Sequence, residues 1–223
     1  MLEWLKTLGG DNKGLESMAS KFNQMLVDGR HMFDLAASIL LSGADPESVR
    51  KNLFKTDVKI NRNEQKLRRE LMVHATVQGA TEFPTSLAFM SLGRDAERIG
   101  DYCKNLFDIA KVRPILRTGP YWEDLSETKE HVSVMLGRVI KIYSRQDEKE
   151  SRQFIAEMDK LLDHCDEQVS KLLVDAPDGP SAVTAALSYR FFKRITAHSM
   201  NIISSIILPL DKINYTSADE KKN

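Results

Sequence analysis

Six apolar stripes of helical period, most of them closed by a glycine- or proline-bearing break, constrain this chain more than any other feature. In the first, Phe22, Met25, Leu26, Met32, Phe33, Ala36 and Ile39 recur with helical period. That spacing places them on one side of a helix and predicts a helix over about residues 15–41, stopped by Ser42-Gly43. Asp45-Pro46-Glu47 opens the second: aspartate is a good N-cap, and proline fits the first turn, where its missing N–H costs nothing. Val49, Leu53, Ile60, Leu67 and Leu71 carry its apolar side to about residue 74. Gly79 and Pro84 bracket a loop, and the third helix is predicted from about 84 to 112. It should end before Pro114, because a residue preceding proline is pushed out of the α region.

Pro114, Gly119 and Pro120 make the main interruption. A fourth helix is expected over about 122–143, a turn at Ser144-Arg145-Gln146-Asp147, and a fifth helix over about 148–173. The fifth carries Phe154, Met158, Leu161, Cys165, Val169 and Leu172 at near-heptad spacing. Asp175-Ala176-Pro177-Asp178-Gly179-Pro180 breaks the pattern, and the sixth helix is expected over about 181–207. No stretch alternates at period two, so the expected fold is all-α.

Three helices, a break and three helices suggest a duplication. Asp57-Val58-Lys59-Ile60-Asn61 corresponds to Asp159-Lys160-Leu161-Leu162-Asp163, and Ser42 to Ser144, at an offset of 102. Arg94, Arg98, Ile99 and Asn105 correspond to Arg190, Arg194, Ile195 and Asn201 at an offset of 96. The expected organisation is a short segment over 1–14, a three-helix bundle over 15–113, a second over 120–210, and a flexible tail over 211–223. Leu2, Trp4, Leu5 and Leu8 in the first segment could form a short docked helix.

Bulk properties exclude several classes. Lys plus Arg and Asp plus Glu are balanced at 32 each, so no global charge favours nucleic acid or an anionic membrane. The basic run Lys51, Lys55, Lys59, Arg62, Lys66, Arg68 and Arg69 is interleaved with Asp57, Glu64 and Glu70 and reads as a solvated helix face. The longest apolar run, about 202–210, is broken by two serines and a proline and is too short to span a bilayer. The start lacks the basic and apolar regions of a signal peptide. Cys103 and Cys165 both fall on apolar faces and read as buried thiols, in keeping with a cytoplasmic setting. There is no Gly-rich phosphate loop, no Cys-x-x-Cys pair and no Glu-x-x-His pair of the kind used by carboxylate-bridged metal enzymes. An enzyme is not expected.

The chemistry concentrates in the third helix. Ile99, Cys103, Leu106 and Ala110 share one face. Glu97 and Asp101 lie on the other side, four residues apart, so their carboxylates stack and repel unless water or a cation intervenes. Asp95-Ala96-Glu97-Arg98-Ile99-Gly100-Asp101, with Asn105 beyond, resembles the D-x-E-R-I-G-D-x-x-x-N signature of the PhoU family of phosphate-response regulators. The resemblance implies two three-helix repeats and acidic pairs that hold metal clusters on the surface. It implies regulation of phosphate uptake or signalling through contact with a phosphate transporter or a sensor histidine kinase, from the cytoplasm or the inner membrane face. A homodimer is compatible with it. A metal-free helical adaptor is the alternative.

Carried onto this chain, the resemblance makes Asp57, Asn61, Glu97 and Asp101 the metal ligands of the first repeat, with Glu64 a step beyond Asn61. Hard oxygen donors suit iron, manganese, magnesium or calcium, with zinc not excluded. Asn61 stands where the family places a second acid, which removes a negative charge. In the second repeat Asp159 and Asp163 remain as candidate ligands, but Lys193 and Ala197 stand where Glu97 and Asp101 stand in the first. Lys193 is expected to act as an internal counter-ion to Asp159 or Asp163, leaving one strong metal site or none. His164 and His198 are the nearest substitute ligands, although plain surface histidines are the simpler reading.

Overall fold

A computed structural model describes residues 12–177, 179–209 and 212. Residues 1–11 and the tail beyond residue 212 lie outside them, and so does the expected helix around Trp4. The described residues form six helices: α1 (Asn12–Ser42), α2 (Pro46–Gln78), α3 (Phe83–Val112), α4 (Trp122–Arg145), α5 (Glu148–Val174) and α6 (Gly179–Ser204). No strand occurs among these residues.

Local chemistry sets the ends. Asp45 caps α2, its carboxylate accepting the Ser48 N–H at 3.0 Å and the Glu47 N–H at 3.4 Å. Asp147 caps α5 by accepting the Glu150 N–H at 2.9 Å. Gly43 and Gly79 take positive φ, +67° and +85°, which glycine reaches without a Cβ clash. α2 outruns the predicted 74 and continues to Gln78, because nothing before Gly79 stops it. The loop between Gly79 and Pro84 holds a short 3-10 turn, Ala80–Glu82. α6 stops short of the predicted 207. The Ile206 and Ile207 N–H groups bond back to Ile203 and Ser204 at 3.1 Å, so the chain tightens into turns ahead of Pro209.

Partners show the directions. Along α2 and α3, Leu67 lies beside Gly93, Ile60 beside Gly100 and Asp57 beside Lys104. Numbering rises on one helix as it falls on the other, so they are antiparallel. Phe22 meets Phe89, and Gly29 meets Ile99, so α1 and α3 run parallel. Each trio runs up, down and up.

The trios share one core. Phe33 of α1 packs edge-on against Phe192 of α6, ring centroids 5.6 Å apart. Phe22 of α1 lies 4.8 Å from Tyr143 of α4. Helices α1, α3, α4 and α6 form the inner layer, and one buried cluster runs through both trios. Helices α2 and α5 lie outside it. α2 packs firmly on α1, whereas α5 scarcely touches α4 and is held mainly by α6. The connection after α3 is pinned to the end of α1, where Leu40 O accepts the Ile115 N–H at 2.8 Å and Leu41 O accepts the Trp122 indole N–H at 3.1 Å.

Candidate functional site

The antiparallel register of α2 and α3 brings Asp57, Asn61, Glu64, Glu97 and Asp101 onto one shared face. Helical spacing alone places Asp57, Asn61 and Glu64 along one side of α2. On α3 the opposite side, carrying Ile99, Cys103, Leu106 and Ala110, is buried. Gly93 and Gly100 let the two helices approach: a Cβ at Gly100 would come within 3.2 Å of Ile60 Cδ1, and one at Gly93 within 3.2 Å of Leu67 Cδ2.

A lysine stands among these acids. Lys104 Nζ lies 2.9 Å from Asp57 Oδ1 on α2 and 3.0 Å from Asp101 Oδ1 on α3. Burial works against its charge, but hydrogen bonds to Asp57 and Asp101 outweigh it and raise the ammonium above its ordinary pKa. Arg98 Nη1 adds a second cation to Asp101 at 3.3 Å. Glu97 is bounded by Arg94 at 3.5 Å and Arg98 at 4.0 Å, and Arg68 pairs with Glu64. Asn61 Nδ2 donates to Asp57 Oδ2 at 3.4 Å, so its amide supports the carboxylate. Burial, then the charge of Asp101, push the Glu97 carboxyl above the usual carboxylate range.

The second trio is arranged differently. Asp159 is half-buried and Asp163 exposed on α5. Lys193 of α6 is a counter-ion as expected, but its ion pair is with Asp166, one turn beyond Asp163, and not with Asp159 or Asp163. Ala197 supplies no donor. His164 is no plain surface histidine: its Nε2 lies 3.1 Å from Asp124 Oδ1, which also accepts the Tyr189 hydroxyl. His198 Nδ1 lies 2.8 Å from Asp95 Oδ1, and Asn201 Nδ2 donates to the same oxygen at 3.1 Å. Asp95, the first residue of the motif, therefore ties α3 to α6 and does not face the acids of α2.

Sequence reasoning missed Lys104, Arg94 and Arg98 as partners of the acids. The spacing held a signal: Arg98 precedes Asp101 by three and Lys104 follows it by three, so both fall on the same side. The ammonium takes the position between Asp57 and Asp101. Among the described residues, no group of three or more His, Cys, Asp or Glu side chains is arranged to hold a metal.

Two up-down-up trios on a shared core, with an acidic face between second and third helices, define an all-helical bundle of the PhoU type. Residues 22–110 match the PhoU domain model, a span that falls within the first trio. Among solved structures, the chain is similar to PhoU from Pseudomonas aeruginosa, at 18% identity and a TM-score of 0.73, covering 88% of this chain and 96% of that one. It is also similar to the phosphate transport system regulatory protein PhoU from Streptococcus pneumoniae, at 14% identity and a TM-score of 0.67, covering 87% and 95%. No curated protein matches the sequence. Residues 22–110 thus resemble the PhoU domain in sequence, and the chain as a whole shares the fold of these solved structures.

Proposed function

We propose that this protein regulates phosphate uptake or phosphate signalling by binding a separate membrane component, a phosphate transporter or a sensor histidine kinase. The PhoU domain at residues 22–110 carries this reading, and the PhoU fold over both trios supports it. No described helix is long and apolar enough to cross a membrane. An effect on transport therefore calls for a partner that does, met at the inner membrane face. The polar groups of the acidic face are engaged with one another as ion pairs, which suits a binding and structural role more than proton transfer.

Affinity purification from native cells grown at high and low phosphate tests the proposal. Co-purification of a phosphate permease subunit or a sensor kinase, in amounts that change with phosphate, is the expected result. Recovery of metabolic enzymes alone, together with unchanged phosphate uptake in a deletion strain, would refute it. A metal-free adaptor with no link to phosphate would give that second pattern.

A further inference from the structure

The resemblance places a metal between α2 and α3, whereas the structure places an ammonium there. We propose that Lys104 is the resident cation of this face, so that the native protein holds its two acidic stripes together without a metal ion. The inference does not depend on which partner the protein binds.

Three observations carry it. First, Lys104 Nζ is within hydrogen-bond distance of carboxylates on both helices, 2.9 Å from Asp57 and 3.0 Å from Asp101. It makes the cross-helix bridge that a metal would make. Second, the face is already neutral. Asp57, Glu64, Glu97 and Asp101 each have a cationic partner, drawn from Lys104, Arg68, Arg94 and Arg98. A dication entering here would meet Lys104 and Arg98 at close range and would have to displace the ammonium. Third, Asn61 uses its amide N–H on Asp57, so it presents a donor to the one carboxylate nearest to it. Hard cations need several oxygen atoms at about 2.0–2.6 Å, and all four carboxylate oxygens of Asp57 and Asp101 are already engaged, by Lys104, Asn61 and Arg98.

The second trio uses the same device at another position. Lys193 occupies the place that Glu97 holds in the first trio and pairs with Asp166. Each trio thus puts a lysine of its third helix against an acid of its second.

The test uses the full chain purified without a polyhistidine tag. Elemental analysis of the wild type is expected to find no stoichiometric transition metal, and millimolar Mg2+, Ca2+ or Mn2+ should leave its melting temperature unchanged. Lys104→Gln removes the cation and leaves Asp57 and Asp101 facing each other. This variant should melt lower in chelator-treated buffer, regain stability on adding Mn2+, and bind Mn2+ at least about tenfold more tightly than the wild type. Lys104→Gln combined with Asp57→Asn should lose the Mn2+ effect. If Lys104→Gln does not fold, Lys104→Arg, which keeps the charge, should fold and remain metal-free. Stoichiometric metal in the wild type that disappears in Asp57→Asn would overturn the proposal. So would a folded Lys104→Gln that no divalent ion stabilises, or a Lys104→Arg that binds metal.

Discussion

The seam between the trios turns on Asp95. Its side chain is buried, and one oxygen meets both His198 and Asn201 of α6. Asp95→Ala would leave those two half-buried groups without their partner. A buried polar group that loses its hydrogen bond costs about 1–3 kcal/mol, so the urea midpoint should fall by a corresponding amount, with Asp95→Asn milder. A midpoint unchanged in Asp95→Ala would mean that water replaces the carboxylate freely. Gly100 is the second decisive residue. Its missing side chain is where Ile60 and Met32 come close, at 3.2 Å and 3.7 Å from the position a Cβ would take. Gly100→Leu inserts four carbons into that gap. Overpacking of this kind typically costs about 1–3 kcal/mol, and the same urea titration reads it. Gly100→Ala should cost far less, since alanine's better helix propensity offsets a contact that a few tenths of an ångström can relieve.

Helix by helix, the elements were legible because their ends are written in local chemistry. Asp45-Pro46, Asp147 and Pro114 each act within a turn, and the helices begin or end at those residues. The α6 end was misread because the apolar stripe continues through Ile206 and Ile207 after the helical hydrogen bonds have given way to turns. The acidic face was half legible. Spacing within α3 groups Glu97 with Asp101, but the meeting of Asp57 with Lys104 depends on the register between helices, which no single stripe encodes. The loose fit of α5 on α4 was likewise hidden. A stripe shows which side of a helix is apolar and not what covers it. Between these two helices lies a groove of about 500 Å³ lined by His131, Val134, Met135, Met158, Leu161 and His164 among others. Arg138 crosses it, pairing with Glu157 and lying 5.4 Å over the Phe154 ring. Exposed ion pairs contribute about 0.2–1 kcal/mol and exposed cation–π contacts about 0.5–1 kcal/mol. Arg138→Ala should therefore lower global stability only slightly. It should raise amide exchange in α5 selectively, because beyond the contacts of His164 with Asp124 and Thr128 little ties that helix to α4. Equal acceleration in α2 would contradict this.

At the scale of the whole molecule, one core running through both trios implies that they unfold together, and the groups sealed in it make that unfolding sensitive to alkali. Cys103, Cys165, Tyr143 and Tyr189 are all buried or nearly so. Burial disfavours a thiolate or phenolate, so every one of these groups is pushed above its ordinary pKa, the Cys165 thiol from 9.0 up to about 12. The Asp124 carboxylate, which accepts the Tyr189 hydroxyl, adds to the shift of that phenol. The sign follows from linkage. In the unfolded chain these groups lose their protons at ordinary values, whereas in the folded chain they hold them longer. Their contribution to stability is complete below the unfolded pKa of the thiols and shrinks as pH rises through the interval up to the folded values. The chain should accordingly keep a constant urea midpoint from about pH 7 to pH 8.5 and lose stability steadily above about pH 9. Native thiols should resist a disulfide reagent at pH 8 and react fully only in denaturant, since the thiolate is the reactive form. Replacing both cysteines with alanine removes two of the four groups and should flatten the alkaline decline, leaving the share carried by the tyrosines. A wild-type midpoint that stays level to pH 11, or thiols that label rapidly in the native state, would show that the core admits water at these positions and that the two trios are not sealed as one body.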